Sequence, residues 1–499
     1  MNPIPHQLLP EPADERRLYA AQPKVYPREI DGRFARLRLT AVSVLLGIFY
    51  GFPWLRWNGH QAVLFDLPAR KFYVFGLTFW PQDFFWLAWL LIIAGLSLFF
   101  FTALAGRLWC GYACPQTVWT EVFLWIERAC EGRRNARIKL DAGPWTREKW
   151  LRKGLKQTLW IAFALWTGFT FVGFFTPVTE LGAEIASFRL SGWETFWILF
   201  YGFATYGNAG YLREQVCKYM CPYARFQSAM FDRDTLVISY DTERGETRGA
   251  RKRGMPSVLT RLAERAAASL SARAATPSVT TPIDGARRPP AATLGDCVDC
   301  DACVQVCPTG IDIRDGLQIE CIACASCIDA CDAVMDKMGY ARGLIRYTTE
   351  NMLAGKPRHV LRTRTLVYAA LLTFLLGTFV WGVTHRAPLI VEVLRDRYAL
   401  YRETGDGAIE NSYRLKIANK SDHALHLVVE PSDDLPLTIV GHSTLDIGVG
   451  DVGDIPLTLR AAPHAVSGKH RVELHVRSHD GDDHVEAEYT TEFFAPEAR

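Results

Sequence analysis

The last third of this chain contains no cysteine. All 13 Cys lie between Cys110 and Cys331, so disulfide bonds cannot stabilise the 168 residues that follow. A large excess of charge of one sign is also missing, because 56 Lys and Arg and 53 Asp and Glu leave a net charge of only +3. This balance provides no argument for nucleic-acid binding. Zinc, iron–sulfur or reactive-thiol chemistry between residues 110 and 331 is therefore the leading expectation.

Charged residues make up only 22% of the sequence, and they are absent from five long apolar segments. Each segment has about 17 or more residues, enough for a helix to cross the hydrocarbon core of a bilayer. We therefore predict a membrane protein with a five-helix transmembrane bundle. The run Phe72–Trp80 is too short to cross, and it predicts an interfacial or re-entrant piece. The predicted spans are Leu39–Leu55, Phe84–Ala105, Thr158–Pro177, Thr195–Leu212 and Thr365–Thr384.

Lys and Arg are distributed unevenly between the predicted loops. Seven precede the first span and eleven lie between the second and third, whereas residues 56–83 carry three and residues 178–194 carry one. Basic loops stay in the cytoplasm. The N-terminus, residues 106–157 and residues 213–364 are therefore predicted to be cytoplasmic, and the tail beyond Thr384 to be exported. The region before the first span has no small-residue cleavage site, so we predict an uncleaved helix.

Two cysteine runs in the predicted cytoplasmic segment have the spacing of bacterial two-cluster ferredoxins. The first reads C-x-x-C-x-x-C-x-x-x-C-P and ends at Pro308, and the second repeats the cysteine spacing with Asp332 in place of the proline. Three thiolates of one run surround one face of a [4Fe–4S] cluster, and the fourth comes from the other run. Structural zinc is the alternative, but the duplicated register favours clusters. The predicted ligand sets are Cys297, Cys300, Cys303 and Cys331, and Cys307, Cys321, Cys324 and Cys327.

A second pair of motifs, C-x-Y-x-C-P, begins at Cys110 and at Cys217, 107 residues apart. Each follows a helix predicted to run to the cytoplasmic face, which indicates a parallel internal repeat. Residues four apart share a helix face, so each pair can present two sulfurs to one ion. Four thiolates with the thioether of Met220 suit Cu(I), zinc or a further cluster. The predicted site contains Cys110, Cys114, Cys217, Cys221 and Met220; buried packing is the alternative, and it is the role expected for Cys130.

Histidine is absent from all five predicted spans. This excludes the paired-His haem site that is common in membrane electron carriers. Quinone contact at Tyr201, Tyr206 or Asn208 stays open, although helix–helix packing is the more ordinary role for such residues.

Residues 248–290 are rich in Arg, Ala, Ser, Thr and Pro and contain few large apolar residues. Such a composition predicts a flexible basic linker. Its first basic cluster could contact anionic lipid or a redox partner, but a solvated linker is the expected state. The cluster consists of Arg248, Arg251, Lys252 and Arg253.

From Pro388 the pattern changes to the alternation of apolar and polar residues that is typical of strands, as at residues 413–417 and 472–476. Turn residues separate these segments. We predict an all-β, immunoglobulin-like sandwich without a disulfide. A metal site at His475, His479 and His484 is the less favoured role for this domain, and partner docking or assembly is the better one.

The predicted domain order follows from these segments. It is a cytoplasmic N-terminal segment (1–38), a transmembrane bundle with both C-x-x-x-C-P motifs (39–222), a cytoplasmic connecting segment with the basic linker (223–295), an α+β two-cluster ferredoxin-like domain (296–347), a connector with the fifth span (348–385) and the exported sandwich (386–499).

The combination of motifs resembles one family. It comprises W-C-G-Y-A-C-P at Trp109–Pro115, C-K-Y-M-C-P at Cys217–Pro222, the paired cluster runs, and D-K-M-G-Y-A-R-G-L-I-R-Y at Asp336–Tyr347. Over nearly the whole chain this is similar to the cytochrome c oxidase accessory protein family of FixG/RdxA/CcoG type. The resemblance implies a bacterial inner-membrane cupric oxidoreductase with two [4Fe–4S] clusters, which reduces Cu(II) to Cu(I) for assembly of a haem–copper oxidase. It also implies that the four C-x-Y-x-C-P thiols form the catalytic copper site and that the sandwich is periplasmic.

The expected partners are a copper chaperone or transporter, the oxidase assembly machinery, a cytoplasmic electron donor and membrane lipid, with homo-oligomers allowed and nucleic acid excluded. Two other functions stay open at this point. One is a quinol-linked electron conduit that feeds a partner reductase. The other is a copper-binding assembly scaffold without enzymatic activity, in which the clusters are structural.

Overall fold

The computed structural model describes residues 24–57, 59–251, 253, 256–263, 294–387, 389–396, 399–421, 424–432, 434–478 and 486–497. The chain divides into two compact units. The first, here called the cysteine-rich unit, comprises Met1–Leu46, Phe100–Leu165 and Gly202–Thr365 and contains all 13 Cys. The second comprises Gly47–Phe99, Trp166–Tyr201 and Leu366–Arg499.

Helices occupy much of the first 385 residues. They are α1 (Arg33–Gly51), α2 (Phe84–Ala105), α3 (Leu108–Tyr112), α4 (Pro115–Glu131), α5 (Arg134–Ala142), α6 (Arg147–Val172), α7 (Val178–Ala186), α8 (Gly192–Thr205), α9 (Pro222–Ala229), α10 (Thr242–Gly245), α11 (Ala302–Gln305), α12 (Ser326–Met338), α13 (Glu350–Leu353) and α14 (Thr363–Thr384). Two π-helical turns, Tyr206–Leu212 and Val216–Met220, follow α8.

Three of the five predicted spans are confirmed as helices long and apolar enough to cross a membrane: Arg33–Trp54, Phe84–Ala105 and Thr363–Thr384. The five-helix bundle is not shown. The predicted span Thr158–Pro177 is wrong at its end, because α6 stops at Val172 and turns follow. The predicted span Thr195–Leu212 is only partly α-helical, since α8 has 14 residues and continues as a π-helical turn. A regular helix needs about 20 apolar residues to cross.

The run Phe72–Trp80, predicted to be an interfacial or re-entrant piece, has a regular secondary structure that its sequence did not indicate. This segment contains two strands, β4 (Lys71–Val74) and β5 (Leu77–Phe79), which form an antiparallel sheet with β3 (Val63–Asp66). The preceding short strands β1 (Arg56–Trp57) and β2 (His60–Gln61) form a separate pair. This run of nine residues is too short to span a bilayer. Its backbone N–H and C=O groups form hydrogen bonds in the sheet of β3, β4 and β5.

The C-terminal region is a sandwich of two antiparallel sheets, which confirms the immunoglobulin-like prediction. One sheet has the order β12–β14–β10–β8, with β9 also paired to β10, and the other has the order β13–β11–β15–β16. The strands are β8 (Leu389–Arg395), β9 (Arg402–Glu403), β10 (Ile409–Asn419), β11 (Leu425–Pro431), β12 (Leu437–Val440), β13 (Thr444–Ile447), β14 (Val452–Ala461), β15 (Lys469–Ser478) and β16 (Glu486–Phe494). Burial alternates along β10 and β15, so the inward residues of both sheets form one apolar core.

The cluster-binding part of the cysteine-rich unit is built around a two-stranded sheet of β6 (Val237–Tyr240) and β7 (Ile345–Thr348). Its core contains apolar residues of both strands and of α12, together with cysteines. Ile238, Met335, Leu344 and Ile345 are almost fully buried there. The two cysteine runs lie in loops and helices between these strands. Because β6 precedes both runs and β7 follows them, the pairing of the two strands brings together the two ends of the segment that carries the cysteines.

The carboxylate of Asp329, on α12, holds the first turn of α1. Its two oxygens accept hydrogen bonds from the backbone N–H groups of Phe34 (3.2 Å) and Ala35 (2.7 Å). A Cβ at residue 32 would clash with the carboxyl group of Asp329, so glycine at this position allows the close approach of the chain. The second cysteine run thus supplies the N-terminal cap of a predicted membrane helix.

A buried ionic network joins α4, α5 and α6 to the segment after the first π-helical turn. Glu127 is fully buried and pairs with Arg213 at 2.9 Å and Arg137 at 3.1 Å. Glu131, also fully buried, pairs with Lys156 at 2.9 Å. These contacts hold α4, which follows the first C-x-Y-x-C-P motif, against the segment that precedes the second.

The predicted flexible linker lies mostly outside the described residues, as do Lys252, His479 and His484. At its start, however, the prediction of solvated basic residues is wrong for Arg251, whose side chain is 2% exposed. Arg251 donates hydrogen bonds to the carbonyl of Leu294 and, at 3.2 Å, to the hydroxyl of Tyr340. Arg248 pairs with Glu246 at 2.8 Å. These arginines hold the loop before the first cysteine run.

Candidate functional site

The structure brings the eight ferredoxin-type cysteines together as two groups of four. The thiols of the first group line one cavity, and those of the second line another, which Cys303 also contacts. In each group three cysteines come from one run and the fourth from the other run, as the cluster arrangement requires. Site 1 contains Cys297, Cys300, Cys303 and Cys331, and site 2 contains Cys307, Cys321, Cys324 and Cys327.

The side chains at both sites fit a [4Fe–4S] cluster. Burial raises the pKa of Cys303, of Cys321 and of Cys331 to about 12, so these thiols would be protonated without a metal. Binding of iron supplies the charge that makes buried thiolates stable. Among the described residues of the two sites, Cys300 is the one exposed cysteine, so site 1 is the group that reaches the surface.

Asp332 replaces the proline of the first run, and the structure gives the reason. Cys331 lies inside α12, so the chain continues as a helix beyond it, where a proline would remove a helical hydrogen bond. The carboxylate of Asp332 instead accepts a hydrogen bond from the N–H of Gly343 at 2.9 Å. The departure from the C-P pattern therefore changes the turn and leaves Cys331 at site 1.

The two C-x-Y-x-C-P motifs have the same backbone geometry. Cys110 lies in α3 and Cys217 in the second π-helical turn, while Cys114 and Cys221 are extended residues directly before the proline that begins α4 or α9. The N–H of Cys114 bonds to the carbonyl of Trp109 at 2.9 Å, and the N–H of Cys221 bonds to that of Val216 at 2.8 Å. Both bonds span five residues. The predicted repeat therefore extends to individual hydrogen bonds.

The expectation that the two cysteines of each motif share one face of a helix is wrong. Each pair spans a helix break and not four residues of one α-helix. The second cysteine of each motif stands at a helix N-terminus, where the helix dipole favours a thiolate. We call Cys110, Cys114, Cys217 and Cys221 the thiol quartet.

The four thiols of the quartet are close enough to interact electrostatically. Burial raises the pKa of Cys110 to about 12; Cys114, Cys217 and Cys221 raise it further, and Arg107 opposes this. Burial likewise raises the pKa of Cys217 to about 11. Burial raises the pKa of Cys114 too, and backbone N–H groups of α4 partly offset this increase. This electrostatic influence means that the two motifs, 107 residues apart in sequence, lie near one another, although among the described residues no three of the four sulfurs lie within 4.8 Å of one another.

Gly111, between the first two thiols, brings this site against the loop of site 2. A Cβ on Gly111 would lie 2.8 Å from the carbonyl oxygen of Ile322, 2.9 Å from that of Ala323 and 2.9 Å from the Cα of Cys324. These are backbone atoms of the second cysteine run, and they cannot move aside as a flexible side chain can. Only glycine allows this contact.

Arg107 lies at the same contact and is 4% exposed. Its guanidinium donates hydrogen bonds to the carbonyls of Ile319 and Ala224 and, at 3.2 Å, to that of Cys321. Within the part of the chain that the structure describes, no carboxylate pairs with it within 4.0 Å. It interacts electrostatically with Cys110, Cys321 and Cys217. A buried cation needs a counter-charge, and here the groups that supply one are these sulfurs together with the carboxylate of Glu320.

Sequence reasoning missed Gly111, Arg107 and Gln227. Gln227 is fully buried, and its side-chain oxygen accepts a hydrogen bond from the thiol of Cys110 at 3.3 Å. Its amide group donates to the hydroxyl of Tyr223 at 2.9 Å. A buried glutamine six residues after Cys221 has no distinctive sequence pattern, so only the fold could identify it.

Two other predicted residues lie apart from the sulfur chemistry. Met220 is 59% exposed, unlike the quartet thiols, which are half-buried. Cys130, 16 positions after Cys114 and near the end of α4, is about 24 Å along the helix from it. This distance is consistent with packing as its role.

The residues considered for quinone contact make helix contacts. The hydroxyl of Tyr206 donates to Gln157 at 2.9 Å, and the carbonyl of Asn208 accepts from Gln116 at 2.9 Å. Tyr201 packs on Phe171 with ring centroids 3.7 Å apart. These are the packing roles that the sequence also allowed.

A cavity of about 460 Å³ lies within the cysteine-rich unit. Cys217 of the quartet and Cys324 of site 2 both line it, with residues from the first turns of α1 and from α4. A small molecule or ion in this cavity would therefore meet both sulfur sites.

Three family models match the chain. One described as a 4Fe-4S dicluster domain matches residues 212–274 and 279–350, and one described as a 4Fe-4S binding domain matches residues 82–131. Together they include every cysteine of sites 1 and 2 and of the quartet. The third, described as an IG-like fold at the C-terminal of FixG, matches residues 379–496.

Three curated relatives match over most of their length. Nitrogen fixation protein FixG of Rhizobium meliloti is 38% identical over 470 residues, which are 86% of this chain and 83% of that protein. Protein RdxB of Cereibacter sphaeroides is 40% identical over 441 residues, which cover 85% of this chain and 86% of RdxB. Protein RdxA of the same organism is 40% identical over 450 residues, 87% of each chain. With three apolar helices that can cross a membrane and with two cysteine-lined sites, the chain belongs to the FixG/RdxA/RdxB family and is an iron–sulfur oxidoreductase with [4Fe–4S] clusters.

Proposed function

We propose that this protein reduces Cu(II) to Cu(I) at the thiol quartet, and that the Cu(I) serves assembly of a haem–copper cytochrome c oxidase. The observation that carries the proposal is the direct contact between the quartet motif and the loop of site 2 at Gly111. A redox site needs a short route to its electron carrier. Here the four soft ligands stand next to a cluster-binding loop, with Arg107 buried between them.

The ligand set matches the chemistry. Thiolate sulfur stabilises Cu(I) over Cu(II), so the quartet favours the reduced ion. When bound at sites 1 and 2, each [4Fe–4S] cluster would supply one electron at a time to the substrate Cu(II). The quartet holds the ion, the helix N-termini behind Cys114 and Cys221 stabilise its thiolates, and Gln227 orients Cys110. Reduction of Cu(II) by one electron forms no covalent bond and requires no proton.

The route for copper is the cavity of about 460 Å³ that Cys217 lines. Thiolates hold Cu(I) tightly, so release needs a thiol-bearing copper chaperone or transporter as acceptor. We place the protein in a bacterial inner membrane, with the N-terminus and the cluster sites in the cytoplasm and the sandwich in the periplasm, from the Lys and Arg distribution. A low-potential one-electron carrier of the cytoplasm is the donor, and the sandwich is the surface for the oxidase assembly machinery.

The test is anaerobic reduction of the purified protein followed by one equivalent of Cu(II). Electron paramagnetic resonance follows both metals, and a chromophoric chelator measures Cu(I). We expect one cluster electron to disappear for each Cu(I) formed. A variant with Ser at all four quartet positions should keep its clusters reduced and form no Cu(I), whereas Cys130→Ser, which removes a thiol from α4, should behave as the native protein does.

Each other outcome overturns a defined part of the proposal. Copper reduction by the quartet variant refutes the site assignment. Loss of iron from that variant means that the quartet holds a further cluster, as the family model over residues 82–131 allows. If a quinone analogue reoxidises the clusters and Cu(II) does not, the protein is a quinol-linked electron conduit and not a copper reductase. If oxidase assembly is unaffected by Cys300→Ser combined with Cys324→Ser, the protein is an assembly scaffold and its clusters are structural.

A further inference from the structure

The two cluster sites have different charged surroundings. At site 1, one buried guanidinium, that of Arg314, pairs with three carboxylates: Asp299 at 2.9 Å, Asp301 at 2.6 Å and Asp312 at 2.6 Å. This group carries a net negative charge. The side chains of Asp299 and Asp301 are 53% and 59% exposed, and they flank the exposed Cys300 within the first cysteine run.

Two more carboxylates approach site 1. Asp332 interacts with Cys331. Asp296, directly before Cys297, is compensated by Arg244 at 2.8 Å and Arg251 at 3.9 Å. Arg342 and Arg248 also interact with Asp332 and Asp312, but they pair with Asp336 and Glu246, so the carboxylates still outnumber the guanidinium groups by seven to five.

At site 2 arginines and carboxylates are equal in number. Arg107 bonds to the carbonyl of Cys321 at 3.2 Å, and Arg38 donates to the carbonyl of Cys324. Neither arginine pairs with a carboxylate within 4.0 Å among the described residues. The carboxylate of Asp329 is near, but the first turn of α1 already binds it. Glu320, directly before Cys321, is a second carboxylate, and it interacts electrostatically with Arg107. Site 2 therefore has two arginines against two carboxylates and lacks the excess of negative charge found at site 1.

We propose that Arg107 gives the cluster of site 2 a higher reduction potential than that of site 1, so that electrons enter at exposed site 1 and move toward the quartet. The inference rests on the proposed electron path. A cluster gains one negative charge on reduction, and a buried cation nearby stabilises that charge, whereas carboxylates oppose it. In this step one electron leaves site 1, which is oxidised, and enters site 2, which is reduced. No bond is made or broken, and no proton is needed. Arg107 acts as a positioning residue, through the field that it places on site 2.

The test is a potentiometric titration of the full chain with redox dyes in the absence of copper, monitored by electron paramagnetic resonance. In Arg107→Met the equilibrium constant for reduction should fall about tenfold for one cluster, about 59 mV for a single electron. The other cluster should not change. Arg107→Lys, which keeps the charge, should restore the native value. Arg477→Met is the control, because it removes an arginine of the sandwich that is 54% exposed and pairs with Glu486.

A second variant tests the same asymmetry from site 1. Asp299→Asn combined with Asp301→Asn changes two exposed side chains and should raise the potential of the cluster that Arg107→Met leaves unchanged. The proposal is overturned if both variants move the same transition, if Arg107→Met shifts both clusters equally, or if Arg107→Lys fails to restore the potential in protein with full iron content. Since copper is absent, these results stand whether or not the protein reduces Cu(II).

Discussion

The C-terminal sandwich and the cysteine-rich unit bury different kinds of side chain. The core of the sandwich consists of inward-facing apolar residues such as Leu415, Leu457 and Val476. The cysteine-rich unit buries thiols together with charged groups, among them Glu127 and Arg107. The sandwich therefore gains its stability from apolar burial, which any packed sheet pair provides. The cysteine-rich unit depends on metal binding and on paired charges, whose loss leaves an expensive buried group.

Among the predicted changes, removal of one proposed cluster ligand should have the largest effect, and it should affect only the cysteine-rich unit. In Cys324→Ser, site 2 loses a ligand that also lines the cavity next to the quartet. We expect about half of the iron to be lost, because each site would hold one of two clusters, and copper reduction to cease. Iron and sulfide analysis with electron paramagnetic resonance measures the first effect. Full iron content in Cys324→Ser would contradict the ligand assignment, and Cys130→Ser serves as the control.

Removal of a buried charge should destabilise the cysteine-rich unit next most. Glu127→Gln leaves Arg213 and Arg137 without their partner, and we expect the free energy of unfolding to fall by about 3 to 5 kcal/mol at pH 7. Burial opposes ionisation of Glu127, but Arg213, Lys24 and Arg137 outweigh it and lower its pKa. Its contribution is therefore present above the unfolded pKa of about 4.3 and is lost as the pH falls through the folded value.

Denaturant unfolding as a function of pH measures this difference. The native protein and Glu127→Gln should converge in strongly acidic solution. A constant difference at every pH would mean that packing, and not the charge of Glu127, is responsible.

A cavity in the sandwich should destabilise that domain alone. Leu457 is 1% exposed, and Leu457→Ala should lower the unfolding free energy by about 2 to 5 kcal/mol, because the lost methyl groups leave unfilled space. Iron content and cluster spectra should not change. Val452→Ala on the same strand is the control, since Val452 is 50% exposed. Loss of iron from Leu457→Ala would show that the two regions do not fold independently.

An added methyl group at Gly111 should have a smaller but more specific effect. Gly111→Ala places a carbon within 2.8 to 2.9 Å of backbone atoms of the second cysteine run. Such overpacking typically costs about 1 to 3 kcal/mol, and we expect it also to slow transfer to copper by separating the quartet from site 2. Stopped-flow oxidation of reduced protein by Cu(II) measures the rate. Gly154→Ala, in α6 with no atom within 4 Å, should leave the rate unchanged.

An exposed ion pair in the sandwich should matter least. Arg477 and Glu486 approach to 2.7 Å, but their side chains are 54% and 45% exposed. Water and salt screen such pairs, so Glu486→Gln should not measurably change unfolding. A clear loss of stability would place this pair among the charges that determine the fold, as Glu127 does in the other unit.

Local patterns were sufficient for the sandwich and for the cysteine groups. Alternation along β10 and β15 follows from the two-residue repeat of a strand, and the C-x-x-C spacing follows from the size of a cluster. Local patterns were insufficient at Phe72–Trp80, where the partner strand β3 decides the structure, and at Thr158–Pro177, where turns end α6 before the apolar segment does. The hydrophobicity of a segment alone indicates neither the strand with which it pairs nor the turn at which a helix ends.

The sequence by itself therefore determined the sulfur chemistry, the family and the all-β character of the last domain, because each depends on residues within one short segment. Tertiary structure alone decided how the sulfur sites connect. Gly111 meets Ile322, and Asp329 caps α1 at Phe34, across separations of about 210 to 300 residues. Arg107 is an ordinary basic residue in its own segment, and only the fold buries it among thiols. Close approach and desolvation arise from packing, so these features have no local sequence pattern.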